Sequence, residues 1–134
     1  LGLKHKHIPE IMRYTGLNTR PLFVPAVGNF RQGMLVQLPL HLDSLPGKPS
    51  GADLNAALQA HYAAGQAAGG WVSVLPATAD AKLDATALNN TNQLEIRVFA
   101  NEEARHAVVI ARLDNLGKGA SGAAVQNISL MLGL

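Results

Sequence analysis

The sequence predicts an α+β fold built on a mixed, mostly antiparallel sheet, with helices packed on one face. Alternating apolar residues indicate a long strand from Met34 to Leu42 and another from Leu94 to Phe99. A short polar turn separates the second strand from the apolar run His106 to Leu113, as in a hairpin. Helical spacing is confined to segments near the start, middle and end, so we expect four or five strands with few helices.

The first element is a short helix. Pro9 is favoured in a first helical turn, and Glu10 suits the positive end of the helix dipole. We expect this helix to run to about Tyr14 or Thr15 and to end at Gly16.

Two prolines limit the next predicted strand, Arg20 to Pro25. The glycine-containing segment from Gly28 to Gly33 is predicted to be a loop. Pro39 cannot donate a ladder hydrogen bond, so it predicts either an edge position or a bulge for the Met34–Leu42 strand.

The middle of the chain contains a capping pattern. Ser50 is followed three residues later by Asp53, which takes the place of the usual Glu or Gln. We expect a helix from about Ala52 to Ala67, then a strand from Trp71 to Leu75, and an irregular segment from Pro76 to Asn92.

The last stretch is rich in small residues. Gly117, Gly119 and Gly122 permit a sharp turn, and Ser121 is the expected N-cap of a terminal helix. Two interpretations stay open: a tight strand-to-helix packing corner, or a site where free backbone N–H groups bind a ligand.

Composition excludes several classes of protein. The 134 residues are 48% hydrophobic and 15% charged, with no cysteine, so neither a disordered chain nor a disulfide framework is expected. A net charge of +2 gives no reason to expect nucleic-acid binding, and no apolar run is long enough for a membrane helix. We expect a cytoplasmic protein, and the missing initiator methionine suggests a piece of a longer one.

Histidines are the first candidate functional residues. His5 and His7 would share one face of an extended segment, although two histidines in a basic loop are more often simply exposed to solvent. Together with His41, His61 and His106 they show no zinc-binding spacing, so we expect no metal site. Basic residues around the pair would either attract an anionic substrate or form a solvated edge.

Three ordered motifs resemble N-acetyl-γ-glutamyl-phosphate reductases, which belong to the semialdehyde dehydrogenase superfamily. They occupy His5 to Ile11, Phe23 to Met34, and Asp114 to Asn127. The resemblance implies a glyceraldehyde-3-phosphate dehydrogenase-like C-terminal domain over residues 1–134. It also implies that residues 117–134 form a helix that packs on an N-terminal Rossmann domain, which would carry the cysteine nucleophile and most of the NADP site. No cysteine is present in this chain, and its one G-x-G-x-x-G spacing, at residues 117–122, belongs to the third motif.

The resemblance implies reduction of the acyl phosphate N-acetyl-γ-glutamyl phosphate to the semialdehyde in arginine biosynthesis. The acid–base histidine would be His7 or His5, with His7 slightly favoured because it adjoins the helix. Arg31, Glu10 and Gln32 would bind substrate. Arg31 stands one position further from the glycine than in many relatives, which leaves its role open.

The terminal motif would contact the cofactor. Gly119 and Ser121 would leave room for the nicotinamide, and Gln126 and Asn127 would offer amide contacts. The implied assembly is a homodimer or homotetramer, formed through the sheet surface that one middle helix cannot cover. The isolated chain is expected to be inactive. Two alternatives remain: an aspartate-semialdehyde dehydrogenase-like domain, or a non-catalytic ligand-binding or oligomerisation module.

Overall fold

The structure is a computed structural model and describes residues 2–67 and 70–134. The helices are α1 (Ile8–Thr15), α2 (Gly51–Ala67) and α3 (Gly122–Leu132). The strands are β1 (Met34–His41), β2 (Val72–Val74), β3 (Leu94–Asn101) and β4 (His106–Leu113). These elements confirm the predicted α+β class.

The strands form one four-stranded sheet in the order β1-β4-β3-β2. β4 pairs antiparallel with both β1 and β3, whereas the short β2 runs parallel to β3. The sheet is therefore mixed and mostly antiparallel, as predicted, and the β3–β4 hairpin supplies its two central strands.

β1 is an edge strand, which accommodates Pro39. Its register with β4 is continuous from Met34, opposite Leu113, to His41, opposite His106. The edge position is therefore confirmed, and no bulge is needed. The strand ends one residue earlier than predicted, because Leu42 begins a short 3₁₀ turn that buries its side chain completely.

The main core lies between α2 and one face of the sheet. Leu42, Val98 and Ala107 form its buried centre. The half-buried residues packed around this centre are Leu45, Leu54, Leu58 and Val109. At the start of α2, Asp53 N–H donates to Ser50 Oγ at 3.1 Å and Ser50 N–H donates to Asp53 Oδ2 at 2.8 Å, which confirms the capping box.

The second face of the sheet is the one opposite α2. Because side chains alternate along a strand, Phe99, Val108 and Ile110 point to this face, and all three are half-buried. We call these three residues the open-face cluster.

At one end of the same face, two arginines anchor the segment that follows β2. Arg97 donates to the carbonyl of Pro76, and Arg112 donates to that of Asp84 at 3.2 Å. Both also pair with Glu95, so the irregular segment 76–92, which was predicted correctly, is held against the sheet.

One predicted strand is wrong. Residues 20–25 have no regular secondary structure: Pro21 and Pro25 have no N–H to donate, and the segment pairs with neither edge strand, β1 or β2. α1 is confirmed: it ends at Gly16, whose φ of 71° lies in the left-handed region that favours glycine.

Candidate functional site

Asp114, the first residue after β4, is the most deeply buried charged group in the described part of the chain, with 1% of its surface exposed. Its carboxylate accepts hydrogen bonds from the N–H of Asn90 at 2.7 Å and of Leu116 at 2.8 Å. The side-chain amide of Gln32 donates a third bond at 2.8 Å. Asp114 therefore joins three segments that are distant in sequence.

Burial alone would raise the pKa of the Asp114 carboxyl. The hydrogen bonds from Asn90, Leu116, Gly117 and Gln32 outweigh that effect and hold its pKa below the ordinary value of 3.8. The group is therefore a carboxylate at neutral pH, and its charge serves the local structure.

The glycines of the terminal motif form a packing corner. A Cβ atom on Gly117 would lie 2.8 Å from the carbonyl oxygen of Thr91, and one on Gly122 would overlap the side-chain oxygen of Asn92. The packing interpretation is thus confirmed for these two positions.

Ser121 is not the N-cap that the sequence predicted. Residues Gly117–Ser121 form a π-helical turn that continues directly into α3, and Ser121 has helical dihedral angles. Its hydroxyl donates instead to the carbonyl of Leu116 at 3.0 Å. The additional turn moves the true start of the helical segment back to Gly117.

A cleft of about 520 Å³ lies against this corner. Its lining residues are Arg31, Gln32, Asn90, Thr91, Asn92, Asp114, Leu116, Gly117, Ser121 and Gly122. Arg31 is exposed, and every ion pair in the described ranges is made by Arg97, Arg105 or Arg112. The guanidinium of Arg31 is therefore available to an anionic ligand at the mouth of the cleft.

The residues that follow Arg31 are fixed by hydrogen bonds. Gly33 N–H donates to Asn115 Oδ1 at 2.7 Å, and the Asn89 amide donates to the carbonyl of Gln32 at 3.1 Å. Gln32, predicted as a substrate ligand, has its amide nitrogen bonded to Asn90 at 3.0 Å as well as to Asp114.

His5 and His7 form a second cluster. Their ring centroids are 4.8 Å apart, and the His5 ring lies 4.5 Å from that of Phe23. His7 occupies the N-cap position of α1, and Glu10 lies exposed in the first turn of that helix. Among residues 2–67 and 70–134, this cluster shares no hydrogen bond or ring contact with the Arg31 cleft.

The predicted cofactor-contacting residues lie on or beside the terminal helix. Gly119, Ser121 and Asn127 are exposed, whereas the Gln126 amide oxygen accepts a bond from the Lys118 ammonium. α3 buries none of its residues. Its most exposed large apolar side chains, each more than half exposed, are Val125, Ile128, Leu130, Met131 and Leu132.

Sequence reasoning missed the role of Asp114 and of the asparagines at 89, 90 and 92. These asparagines fall at the end of the segment that the sequence predicts only to be irregular. A buried strand ending directly at an aspartate was the available signal, because such a carboxylate requires donors from elsewhere in the fold.

Residues 2–67 and 70–134 contain no group of three or more His, Cys, Asp or Glu side chains placed to hold a metal ion. None of their helices is sufficiently long and apolar to cross a membrane.

Similarity to known proteins covers the whole chain. This chain is 48% identical to N-acetyl-gamma-glutamyl-phosphate reductase 2 of Nostoc sp., and the alignment covers 100% of the chain and 42% of the relative. The reductase of Mesorhizobium japonicum is 48% identical, with 100% and 44% covered, and reductase 2 of Pseudomonas putida is 47% identical, with 99% and 42% covered. The chain thus spans less than half the length of these curated relatives.

Residues 1–115 match the family model described as the dimerisation domain of semialdehyde dehydrogenase. The match includes α1, the whole sheet and the Asp114–Asn115 pair that follows β4. The chain therefore belongs to the semialdehyde dehydrogenase dimerisation domain family.

Proposed function

We propose that this chain is the C-terminal domain of an NADP-dependent cytoplasmic reductase that converts N-acetyl-γ-glutamyl phosphate to N-acetylglutamate semialdehyde and phosphate in arginine biosynthesis. The observation that carries this proposal is the similarity along the whole chain to relatives that bear this enzyme's name. The chain contains no cysteine, so the nucleophilic thiol would belong to another part of the protein.

His7 is the proposed acid–base residue, and His5 is its neighbour in the same cluster. An imidazole can take up and release a proton near neutral pH, which suits exchange first with a thiol and then with the oxygen of the reduced carbonyl. His7 is exposed at the start of α1, where its ring is accessible to a substrate held against another domain.

Arg31 is the proposed ligand for an anionic group of the substrate. Its exposed guanidinium lies at the mouth of a cleft, and a planar guanidinium can bind a phosphate or a carboxylate with two hydrogen bonds. Glu10 and Gln32 are proposed substrate neighbours. Gln32 donates hydrogen bonds to Asp114 and Asn90, so its contribution to substrate binding would be indirect.

NADP would supply the hydride. The exposed small residues at Gly119 and Ser121 fit the close approach of a flat ring, and the exposed Asn127 amide can donate to a carboxamide. Gln126 can do so through its amide nitrogen, since Lys118 occupies only its oxygen. We propose that residues 117–134 pack on the Rossmann domain, because α3 leaves its apolar side chains uncovered.

The sheet is the proposed subunit interface of a homodimer or homotetramer. The family description names a dimerisation domain, and the open-face cluster provides apolar side chains on the sheet face opposite α2.

The test is a substrate comparison with the full-length protein. We expect NADPH oxidation with N-acetyl-γ-glutamyl phosphate and little with aspartyl phosphate, and no turnover by the 134-residue chain alone. Preference for aspartyl phosphate would favour the aspartate-semialdehyde dehydrogenase alternative. Inactivity of the full-length protein with both would favour a non-catalytic module.

A further inference from the structure

We infer that Asp114 and Asn115 are positioning residues for Arg31, acting through Gln32 and Gly33 respectively, and that Gln32 is not itself a substrate ligand. This inference rests on the proposed role of Arg31 as the anion-binding group. Neither Asp114 nor Asn115 needs to touch the substrate for it to hold.

The first observation is the double attachment of the segment directly after Arg31. Gln32 is held through its side chain by Asp114 at 2.8 Å, and Gly33 is held through its main chain by Asn115 at 2.7 Å. Two consecutive residues at the end of β4 thus bind the two consecutive residues that follow the arginine.

The second observation is that Arg31 lies outside the helices and strands. This residue is in an irregular segment, and its own side chain is exposed. The amide of Asn89 adds one bond to the carbonyl of Gln32 at 3.1 Å. The direction of the Arg31 backbone therefore depends on side-chain hydrogen bonds instead of a ladder of main-chain bonds.

The third observation links this attachment to the terminal helix. The main-chain oxygen of Asp114 accepts from Gly119 N–H at 2.8 Å, and its carboxylate accepts from Leu116 N–H. One residue therefore fixes both the segment carrying Arg31 and the turn that starts the helical segment. A displacement of about 1 Å in a binding group can lower a rate by about 100-fold. Loss of a residue that fixes both segments should therefore have a measurable effect on the rate.

The experiment uses the full-length protein and steady-state kinetics in both directions. The substitutions are Arg31→Ala, Asn115→Leu, Asn115→Asp and the double variant Arg31→Ala with Asn115→Leu. Leucine removes the oxygen that accepts from Gly33, whereas aspartate keeps an acceptor at the same place and is the matched control. Gln32→Met, which removes the donor to Asp114 at similar size, is the second test if Asn115→Leu fails to fold.

Arg31→Ala is expected to raise a substrate KM by about 10- to 150-fold, the range for loss of a charge-assisted hydrogen bond. A rise in the KM for inorganic phosphate in the reverse direction assigns the phosphate to Arg31. A rise only in the KM for the semialdehyde shows that Arg31 binds the carboxylate of the substrate. Asn115→Leu is expected to raise the same KM by about 10-fold, with the KM for NADPH unchanged, and Asn115→Asp should return it to within about threefold of wild type.

The double variant separates positioning from general destabilisation. If Asn115 acts through Arg31, the double variant is no worse than Arg31→Ala alone, because the group to be positioned is already gone. Full additivity, or an unchanged KM in Asn115→Leu, overturns the positioning inference and leaves the proposed function intact. An unchanged KM for both substrates in Arg31→Ala overturns the proposed role of Arg31 itself, and the positioning inference with it.

Discussion

The backbone N–H of His7 donates a hydrogen bond to Nδ1 of His5 at 3.3 Å, and the planes of the two rings meet at 64°. Nδ1 of His5 is therefore occupied as an acceptor, which leaves Nε2 as the protonated nitrogen of its neutral ring. Within the described ranges, neither ring nitrogen of His7 makes a hydrogen bond. We therefore propose His7, rather than His5, as the group that exchanges protons.

This relationship predicts unequal effects of the two histidine substitutions. In the full-length protein, His7→Ala should lower kcat by about 10²–10⁴-fold, the usual range for a general acid–base group. His5→Ala should cost less, since it removes a neighbour and not the exchanging group. Steady-state assays of both single variants check this, and a larger loss in His5→Ala would reverse the assignment.

Gly33 is predicted to be intolerant of a side chain. Its φ is 114°, and a Cβ atom would overlap the carbonyl of Ala85. Gly33→Ala should therefore lower the free energy of unfolding by about 1–3 kcal/mol. Gly65→Ala is the matched control: it lies within α2 with open space around it, and it should raise stability by about 0.5–1 kcal/mol. Urea unfolding measures both, and a neutral Gly33→Ala would contradict the expectation.

The buried carboxylate predicts a pH dependence. Because folding lowers the pKa of Asp114, its stabilising effect is complete above the ordinary value of 3.8 and is lost as the pH falls through the lowered pKa. Asp114→Asn should therefore be less stable than wild type at neutral pH, with the difference shrinking in acid. The pKa values of Asp53 and Asp84 are also lowered, by hydrogen bonds from Ser50 and Thr86, but both groups remain in the variant and cancel in the comparison. A pH-independent difference would show that the charge of Asp114 is not responsible.

The open-face cluster predicts where a substitution should weaken the association of subunits. Val108 lies at its centre and is half-buried, so Val108→Lys should place a charge in the proposed interface and shift the full-length protein toward monomer. Ala57→Lys, on the exposed surface of α2, is the control and should leave association unchanged. Sedimentation at several concentrations distinguishes the two, and equal behaviour of both variants would place the interface elsewhere.

The terminal helix predicts a difference in hydrogen exchange. A helix of 11 residues with no buried side chain gains little from tertiary packing, so its amides should exchange faster than those of β4 in the 134-residue chain. In the full-length protein the same amides should become slower, because each large apolar side chain covered by another domain adds roughly 1.5–3 kcal/mol. Equal protection of α3 and β4 in the short chain would mean that the helix needs no further domain.

Local patterns predicted most elements of this fold. Alternation indicated β1, β3 and β4, and the Ser50–Asp53 pair indicated the start of α2 to within a residue. These predictions succeeded because strand and helix periods depend on nearby residues. The expected strand at residues 20–25 was wrong because a strand forms only by pairing with another strand. No pattern within those residues reports whether the fold brings such a partner alongside.

The sequence by itself determined the fold class, the hairpin and the identity of the motif residues. Only the tertiary structure decided what those residues do with one another. Gln32 and Asp114 are 82 residues apart, and so are Gly33 and Asn115, yet each pair is joined by a hydrogen bond. The reason is physical: spacing along a chain specifies which face a side chain occupies. The partner of a buried carboxylate depends on which distant loops the folded sheet brings to its end.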